Sequence, residues 1–391
     1  MKLNDELIVT IIDEDNLGNG IAKLNGHVIF IKNTLIDEKV RIRIIRLYRR
    51  FAVGEVIFII KESPNRVDAI CPYYSVCGGC NFLHTTYSNE RNIKLKYLEK
   101  KFNREIEYLE TINEFNYRNK IVLHVKKGIL GLYNDKTHNV CEIDSCYLVN
   151  PKINEYIAYL KTFNLKNINE IMIRCINDKI MINIKTNKYS KHKELMGIEC
   201  DSLYINNEYI KGEKYLIDEI NNYKFSIYPE SFYQVNKEGM INIYNKALNY
   251  IGNNKTLLDL YCGTGTIGIW LHNKFKKIIG VEINESSIKN ANINKDLNNI
   301  KNISFICSDA KDIKDKFDIV VVDPPRSGLS KDVIKYLNSS KSKEIIYISC
   351  NPNTLKRDID LLINYELKEL SCCDMFPRTK HCESITVLER R

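Results

Sequence analysis

Cys350 ends a β-branched apolar run, Ile345-Ile-Tyr-Ile-Ser-Cys350, and is followed at once by Asn351 and Pro352. A second run, Val320-Val-Val322, ends in Asp323-Pro-Pro-Arg326. If both runs are parallel strands of one sheet, a thiol, a carboxylate and a guanidinium meet at one rim. Doubly wound sheets bind their ligands outside the carboxyl ends of their strands. Cys350 is therefore a candidate nucleophile. The plainer alternative is a small buried hydrophobe, the ordinary fate of a cysteine in a reducing compartment.

A third strand end carries Asp259-Leu-Tyr-Cys-Gly-Thr-Gly-Thr-Ile-Gly268. Gly263, Gly265 and Gly268 have the spacing of a dinucleotide fingerprint. Asp259, however, sits where it would repel a diphosphate. Glu282 closes the next strand, placed to bond ribose hydroxyls, and Asp309 follows the third, within reach of an adenine amino group. An acidic rim with a ribose carboxylate and no phosphate cradle suits a cationic nucleoside, S-adenosylmethionine. A nicotinamide dinucleotide or a glycine turn serving packing alone are the weaker readings.

Cys71-Pro-Tyr-Tyr-Ser-Val-Cys77-Gly-Gly-Cys80 has C-x5-C-x2-C spacing. Three thiolates on so short a loop can face one centre, with a fourth ligand from elsewhere. Zinc and an iron–sulfur cluster are equally compatible with this spacing. Cys175, Cys200, Cys262, Cys307, Cys372 and Cys373 fall on or beside strand-like runs and read as packing.

The elements needed to position these groups follow from the patterning. Residues 4–62 read as five short strands with Gly and Asn turns, a small barrel with Arg41, Arg43, Arg46, Arg49 and Arg50 on its outer face. Such a basic face is either solvated or a nucleic-acid platform. A linker, Glu62-Ser-Pro-Asn-Arg-Val67, leads to the cysteine loop, a helix at 90–102 and a mixed α+β region to 235. From 236 strands and helices alternate. Helices are expected at 239–251, 266–274, 285–297, 330–339 and 353–363. Strands are expected at 257–260, 278–281, 303–306, 317–322 and 345–349, with a final β pair at 367–374 and 384–388. The expected division is 1–62, 63–235 and 236–391.

The chain has 391 residues, 44% of them hydrophobic, with 58 Lys and Arg against 49 Asp and Glu. That leaves +9, a mild match to a polyanionic partner. Its thirteen cysteines, without a secretory signal or a bilayer-length apolar run, predict a reduced cytoplasmic protein with no membrane partner.

Taken together, Phe232-Tyr-Gln-Val-Asn236, Asp259-Leu-Tyr-Cys-Gly-Thr-Gly265, Asp323-Pro-Pro-Arg-Ser-Gly-Leu329, Ser349-Cys-Asn-Pro352 and Asp374-Met-Phe-Pro377 resemble the RNA 5-methyluridine methyltransferases. The likeness is greatest to the iron–sulfur-containing ribosomal RNA uracil-5 methyltransferases and covers nearly the whole chain. It implies a Rossmann-like methyltransferase domain, an N-terminal TRAM barrel and a central α+β iron–sulfur domain. It also implies Cys350 as nucleophile and Glu383 as base, although Glu383 alone would read as a surface carboxylate. Gln234, Tyr261, Thr266, Glu282, Asp309 and Asp323 match positions that bind S-adenosylmethionine, and Asp323 and Arg326 those that shape the uracil pocket. The metal site becomes [4Fe–4S], with Cys71, Cys77, Cys80 and Cys146, Cys141 being the competitor for the fourth place. Arg378 stands where the family usually has Gln, and Cys382 where Val is common.

The expectation is a monomeric enzyme methylating 23S ribosomal RNA. Transfer RNA methylation at the T-loop uridine is the near rival, disfavoured because bacterial enzymes of that class generally lack barrel and cluster. A non-catalytic RNA-binding or chaperone protein is the distant one.

Overall fold

The structure is a computed structural model describing residues 1–135, 137–187, 193–253, 255–313 and 315–391. The chain gathers into two compact units. One comprises Met1–Glu105, Tyr133–His138 and Phe376–Lys380; the other comprises Ile106–Leu132, Asn139–Met375 and His381–Arg391.

The first unit begins with a six-stranded sheet in the order Glu6–Thr10, Lys39–Leu47, Phe51–Lys61, His27–Lys32, Asn19–Leu24, Asp13–Glu14. Strict alternation sets its two faces. Val40, Ile42 and Ile44 point into a core with Val9, Ile11, Ala22, Ile29, Ile31 and Ala52. Lys39, Arg41 and Arg43 point out. Register shifts between Lys39–Leu47 and Phe51–Lys61 mark bulges, which curl a sheet. Glu6 accepts from Arg41 (2.7 Å) and Arg43 (3.0 Å), so part of the basic face is neutralised. Arg46, Arg49 and Arg50 are exposed at the Lys39–Leu47/Phe51–Lys61 hairpin. Helix Tyr87–Phe102 follows, capped by Thr86, whose hydroxyl accepts from the Asn89 N–H.

The second unit holds two large sheets. One has seven strands in the order Val140–Glu142, Ile129–Tyr133, Lys120–Lys126, Ile168–Ile176, Lys179–Thr186, Ser202–Ile205, Glu208–Gly212. A hairpin, Leu216–Ile220 with Tyr223–Ile227, comes next. Its turn residues Asn221 and Asn222 both have positive φ (49° and 67°), the backbone that suits the twist of a two-residue hairpin.

The sheet that carries the chemistry has eight strands. Their order is Ile303–Cys307, Phe275–Glu282, Lys255–Leu260, Ile319–Val322, Glu344–Ser349, Glu383–Arg390, Tyr365–Cys373, Glu107–Leu109. The first five are mutually parallel, and Glu383–Arg390 runs antiparallel to both its neighbours. Ile319–Val322 is buried along its whole length, as a parallel strand covered on both faces must be. Helices Thr266–Leu271, Glu285–Leu297, Lys331–Ser339 and Pro352–Leu361 alternate with these strands. Expected and observed elements agree to within a few residues, and helix Glu285–Leu297 agrees at both ends. The barrel region has six strands rather than five, Asp13–Glu14 being too short to read from sequence. Among the described residues no helix is long and apolar enough to cross a membrane.

Candidate active site

The rim of the eight-stranded sheet is built from five strand ends. Strand Lys255–Leu260 delivers Asp259 and then turns sharply through Tyr261, which is left-handed (φ 63°). The glycine loop closes with Gly265 N–H donating to Cys262 O at 2.8 Å. Gly265 also has positive φ (79°), and a Cβ there would lie 2.4 Å from the Phe305 ring. Only glycine lets the loop settle on that ring.

Asp259 is fully buried, with Oδ2 accepting from Gly268 N–H at 3.2 Å and Oδ1 left without a hydrogen-bond partner. Burial, then Asp323, pushes its carboxyl up to about 8. Glu282 caps the loop from the next strand: Oε2 accepts from Gly263 N–H (3.2 Å) and Oε1 from Asn284 N–H (2.9 Å). Asp309 caps the turn after the third strand, and the backbone N–H and then the ammonium of Lys311 hold its carboxyl below the usual range. Burial, followed by the charges of Asp309, Asp358 and Glu282, raises Tyr261 to about 12. Thr266 opens the next helix, its hydroxyl 3.0 Å from Tyr244 OH. Gln234 is half-buried, its carbonyl accepting from Asn119 Nδ2 at 3.0 Å.

On the other side of Asp259, the register pairs Ser349 with Ser384 across antiparallel strands. Continuing that register by one residue sets Cys350 opposite Glu383. Cys350 is half-buried; burial first, then Glu383, raises its thiol to about 11, with Arg326 opposing. Glu383 is buried and raised well above the carboxylate range by burial and by Asp323, again against Arg326. Burial lifts Asp323, half-buried at its own strand end, to about 7.

The Asp323–Arg326 loop is fastened from below. The Arg326 carbonyl accepts from Asn351 Nδ2 (3.0 Å) and Thr354 Oγ1 (3.3 Å), and its guanidinium lies 3.4 Å from His381 Nε2. Buried Asp358 accepts from Leu329 N–H (2.8 Å) and Tyr347 OH (2.7 Å).

The rim thus holds three carboxylates whose charges oppose one another, with a thiol beside them. Such a site favours a cation and offers a nucleophile and a base together. Sequence reasoning missed Tyr244, a buried tyrosine whose hydroxyl is pushed up mainly by burial and further by Asp323, Asp259 and Glu383. Its place on helix Lys237–Asn249 looks like an ordinary apolar position.

In the first unit, Cys71, Cys77 and Cys80 are half-exposed on a loop of tight turns, with Cys77 N–H donating to Tyr73 O at 2.7 Å. Gly79 N–H points at Cys77 Sγ (3.4 Å). In the second, Cys146 is half-exposed and its backbone is clamped at both polar atoms by Asn154 (2.8 and 3.2 Å). Cys141 is buried, and burial raises its thiol. Among the described residues no group of three or more His, Cys, Asp or Glu side chains is arranged to hold a metal ion. The departure at Arg378 has a structural counterpart: Arg378 N–H donates to buried Glu90 (2.8 Å), and its guanidinium to the carbonyls of Phe82 (3.1 Å) and Thr85 (2.8 Å).

Residues 156–391 match the sequence model of the tRNA (uracil-5-)-methyltransferases, and residues 2–57 match the TRAM domain. An uncharacterized RNA methyltransferase of Clostridium acetobutylicum is 34% identical over 451 aligned positions, covering 100% of this chain and 98% of that one. One from Staphylococcus epidermidis is 32% identical, covering 100% and 99%. Among solved structures, the Pyrococcus abyssi tRNA (uracil-54, C5)-methyltransferase, in complex with S-adenosyl-L-homocysteine, superposes with a TM-score of 0.82 at 26% identity. That match spans 97% of this chain and 99% of the other.

Proposed function

We propose, from the premise that this chain belongs to the tRNA (uracil-5-)-methyltransferase family, that it methylates carbon 5 of a uracil in 23S ribosomal RNA, with Cys350 as nucleophile and Glu383 as base. The observation that supports the mechanism is the nearness of the two groups at an acid-lined rim: the strands pair up to Ser349 and Ser384, and the charge of Glu383 bears on the Cys350 thiol just beyond.

The residues present suit S-adenosylmethionine. Asp259 Oδ1 is buried and unpartnered, and Asp259, Asp323 and Glu383 are all raised, first by burial and, for Asp259 and Glu383, by the charge of Asp323 as well. Gln234, Tyr261, Thr266, Glu282, Asp309 and Asp323 would hold it. Bound there, it supplies an electrophilic methyl group. Carbon 5 of uracil is too weak a nucleophile to take that methyl unaided. Addition of the Cys350 thiolate to carbon 6 would make an enolate with electron density at carbon 5, which would form the new carbon–carbon bond as the donor's methyl–sulfur bond breaks and the neutral thioether leaves with that electron pair. Glu383 then takes the carbon 5 proton, and the carbon 6–sulfur bond breaks to release Cys350. Arg326 opposes the upward shifts of both groups, and with Asp323 it would border the base pocket.

Transfer RNA is the second reading, and one specific observation favours it. The Pyrococcus enzyme is named for transfer RNA, yet its match runs through nearly all of this chain. The N-terminal barrel therefore does not by itself choose ribosomal RNA. Support for ribosomal RNA is the resemblance of the cysteine loop to the iron–sulfur enzymes.

For that cluster we retain Cys71, Cys77, Cys80 and Cys146 as ligands, on the resemblance to the iron–sulfur enzymes. No step of methyl transfer passes through it. The divisions 1–62, 63–235 and 236–391 are likewise kept as the working boundaries of barrel, cysteine-bearing and methyltransferase regions.

The deciding experiment incubates the protein and S-adenosylmethionine with unmodified 23S ribosomal RNA and, separately, with unmodified transfer RNA. Mass spectrometry of the digests then measures 5-methyluridine. Product in ribosomal RNA alone is expected. Product in transfer RNA alone would overturn the substrate, and product in neither would favour a binding protein.

A further inference from the structure

The segment that carries Gln234 is not part of the parallel sheet. It leaves the hairpin at Ile227 and turns through Tyr228–Ser231 before reaching Phe232. The glycine loop comes from the sheet itself. Nothing in the strand ladder fixes one against the other, so side chains must.

Those side chains are on helix Glu285–Leu297. Asn290 and Asn294 are four residues apart and so share a face. They are 3% and 0% exposed. Asn294 Nδ2 donates to the Thr264 carbonyl of the glycine loop at 2.9 Å. Its Oδ1 accepts from Ser226 N–H (2.7 Å) and from Ser226 Oγ (2.6 Å). Asn290 Nδ2 donates to Ser226 O (3.0 Å) and Oγ (2.6 Å), while its Oδ1 accepts from Ser231 Oγ at 2.6 Å. Ser231 Oγ in turn accepts from Tyr228 N–H at 3.0 Å.

Both ends of this chain are tied again. Fully buried Arg174 donates to the carbonyls of Ser231 (3.1 Å) and Tyr228 (3.4 Å). Thr264 Oγ1 donates to the Phe232 carbonyl at 3.4 Å, closing the circuit two residues before Gln234. The hydroxyl protons are fully assigned: Ser226 gives its proton to Asn294 and Ser231 gives its proton to Asn290. With those roles fixed, neither amide can flip without leaving buried donors facing donors.

We propose that Asn290 and Asn294 are positioning residues for the methyl donor, holding the Gln234 segment and the glycine loop at the spacing the donor requires. The proposal rests on the donor reading above. The amides of Asn290 and Asn294 and the hydroxyls of Ser226 and Ser231 are all paired, although Arg174 Nε is not, and a paired buried network favours one arrangement. Binding geometry, rather than the chemical step, is what these residues control. Their loss separates affinity from turnover.

The test is donor binding without RNA, followed by the intrinsic fluorescence of Trp270, the single tryptophan of the chain. It lies on the helix after the glycine loop, with its ring 5.6 Å from that of Tyr244. Asn294→Leu keeps the size but strips both hydrogen-bonding functions, and S-adenosylmethionine should bind about tenfold more weakly or worse. At saturating donor its kcat should stay within about threefold of wild type. Ser231→Ala, which removes one link, should weaken binding about threefold. Asn292→Ala is the control, because among the described residues Asn292 bonds within its own helix, to Ile288 O and Lys295.

If Asn294→Leu does not fold, Asn290→Asp and Ser231→Ala carry the same test, with thermal melts confirming the folded state. Wild-type affinity in these folded variants overturns the proposal and leaves the donor reading intact. A wild-type protein that binds no S-adenosylmethionine overturns both.

Discussion

The raised carboxyls at the rim make a quantitative prediction about donor binding. Asp259 titrates at about 8 and Asp323 at about 7, both raised first by burial, and Asp259 also by Asp323 itself. At about pH 7.5 the first is roughly three-quarters protonated and the second roughly one-quarter, so the pair holds about one proton. A positive charge within about 4–6 Å lowers a carboxyl by about 1–3 pH units, enough to ionise both. S-adenosylmethionine should therefore release about one proton on binding at about pH 7.5. The sign follows from the direction of the shifts. Groups raised in the free protein hold protons that the cation displaces, so affinity rises with pH, by about tenfold per unit near pH 7.5 where the pair holds about one proton, and levels off above about pH 8. The assay is calorimetric titration in two buffers of different ionisation enthalpy, where the dependence of the observed heat on buffer counts the protons. S-adenosylhomocysteine has the same ends but a neutral sulfur, and should release less than about half as much. Equal release by the two ligands, or none by either, would refute the electrostatic reading of the rim.

Two further expectations concern the reacting groups. Glu383→Gln should transfer the methyl group but stall before elimination, leaving a covalent protein–RNA adduct on a denaturing gel that Cys350→Ala cannot form; a Glu383→Gln enzyme that turns over normally would remove Glu383 as the base. In the free protein Cys350 should alkylate slowly: a thiol at about 11 rather than 9 offers roughly a hundredth of the thiolate at about pH 8. Peptide mass spectrometry should show the Cys350 rate climbing until about pH 11, and slower still in Arg326→Ala, because Arg326 opposes the upward shift. An ordinary thiol midpoint, or indifference to Arg326, would contradict the site as described.

The parallel sheet was legible because its strands are short apolar runs separated by helices with clear caps. Asn284, Ser330 and Asn351 each accept from the first turn of the helix they precede, and those helix starts fall within a residue of expectation. Strand Phe275–Glu282 begins three residues earlier than its apolar pattern, because Phe275 and exposed Lys277 pair with Lys255 and Thr256 before the second neighbouring strand joins at Ile278. Asp13–Glu14 was illegible for a different reason. Two acidic residues have no strand propensity, and they are held there by pairing with Ile21 and Gly20.

Within the site, the groups that react were easier to find than the groups that hold them. Cys350, Asp323 and Glu282 end apolar strands, and a polar residue in that place calls for an explanation. Asn290 and Asn294 sit in Glu285–Leu297 with a third asparagine, Asn292, between them, in a chain whose surface is full of such residues. By sequence the three are equivalent; in the structure two are buried and the third bonds its own helix. Periodicity does not separate them either: at about 100° per residue Asn292 lies closer than Asn290 or Asn294 to the direction of Ile288 and Ala291, yet Asn290 and Asn294 are the buried pair. A buried amide costs free energy unless every donor and acceptor is met, so two asparagines on an inward face require polar partners across from them. The nearest polypeptide able to supply these is the exposed-carbonyl backbone of a glycine loop and the turn beside it. An inward-facing asparagine on the helix that follows a cofactor strand therefore points to loop support once its burial is seen, and the 3.6-residue period of that helix alone does not reveal which asparagine faces inward.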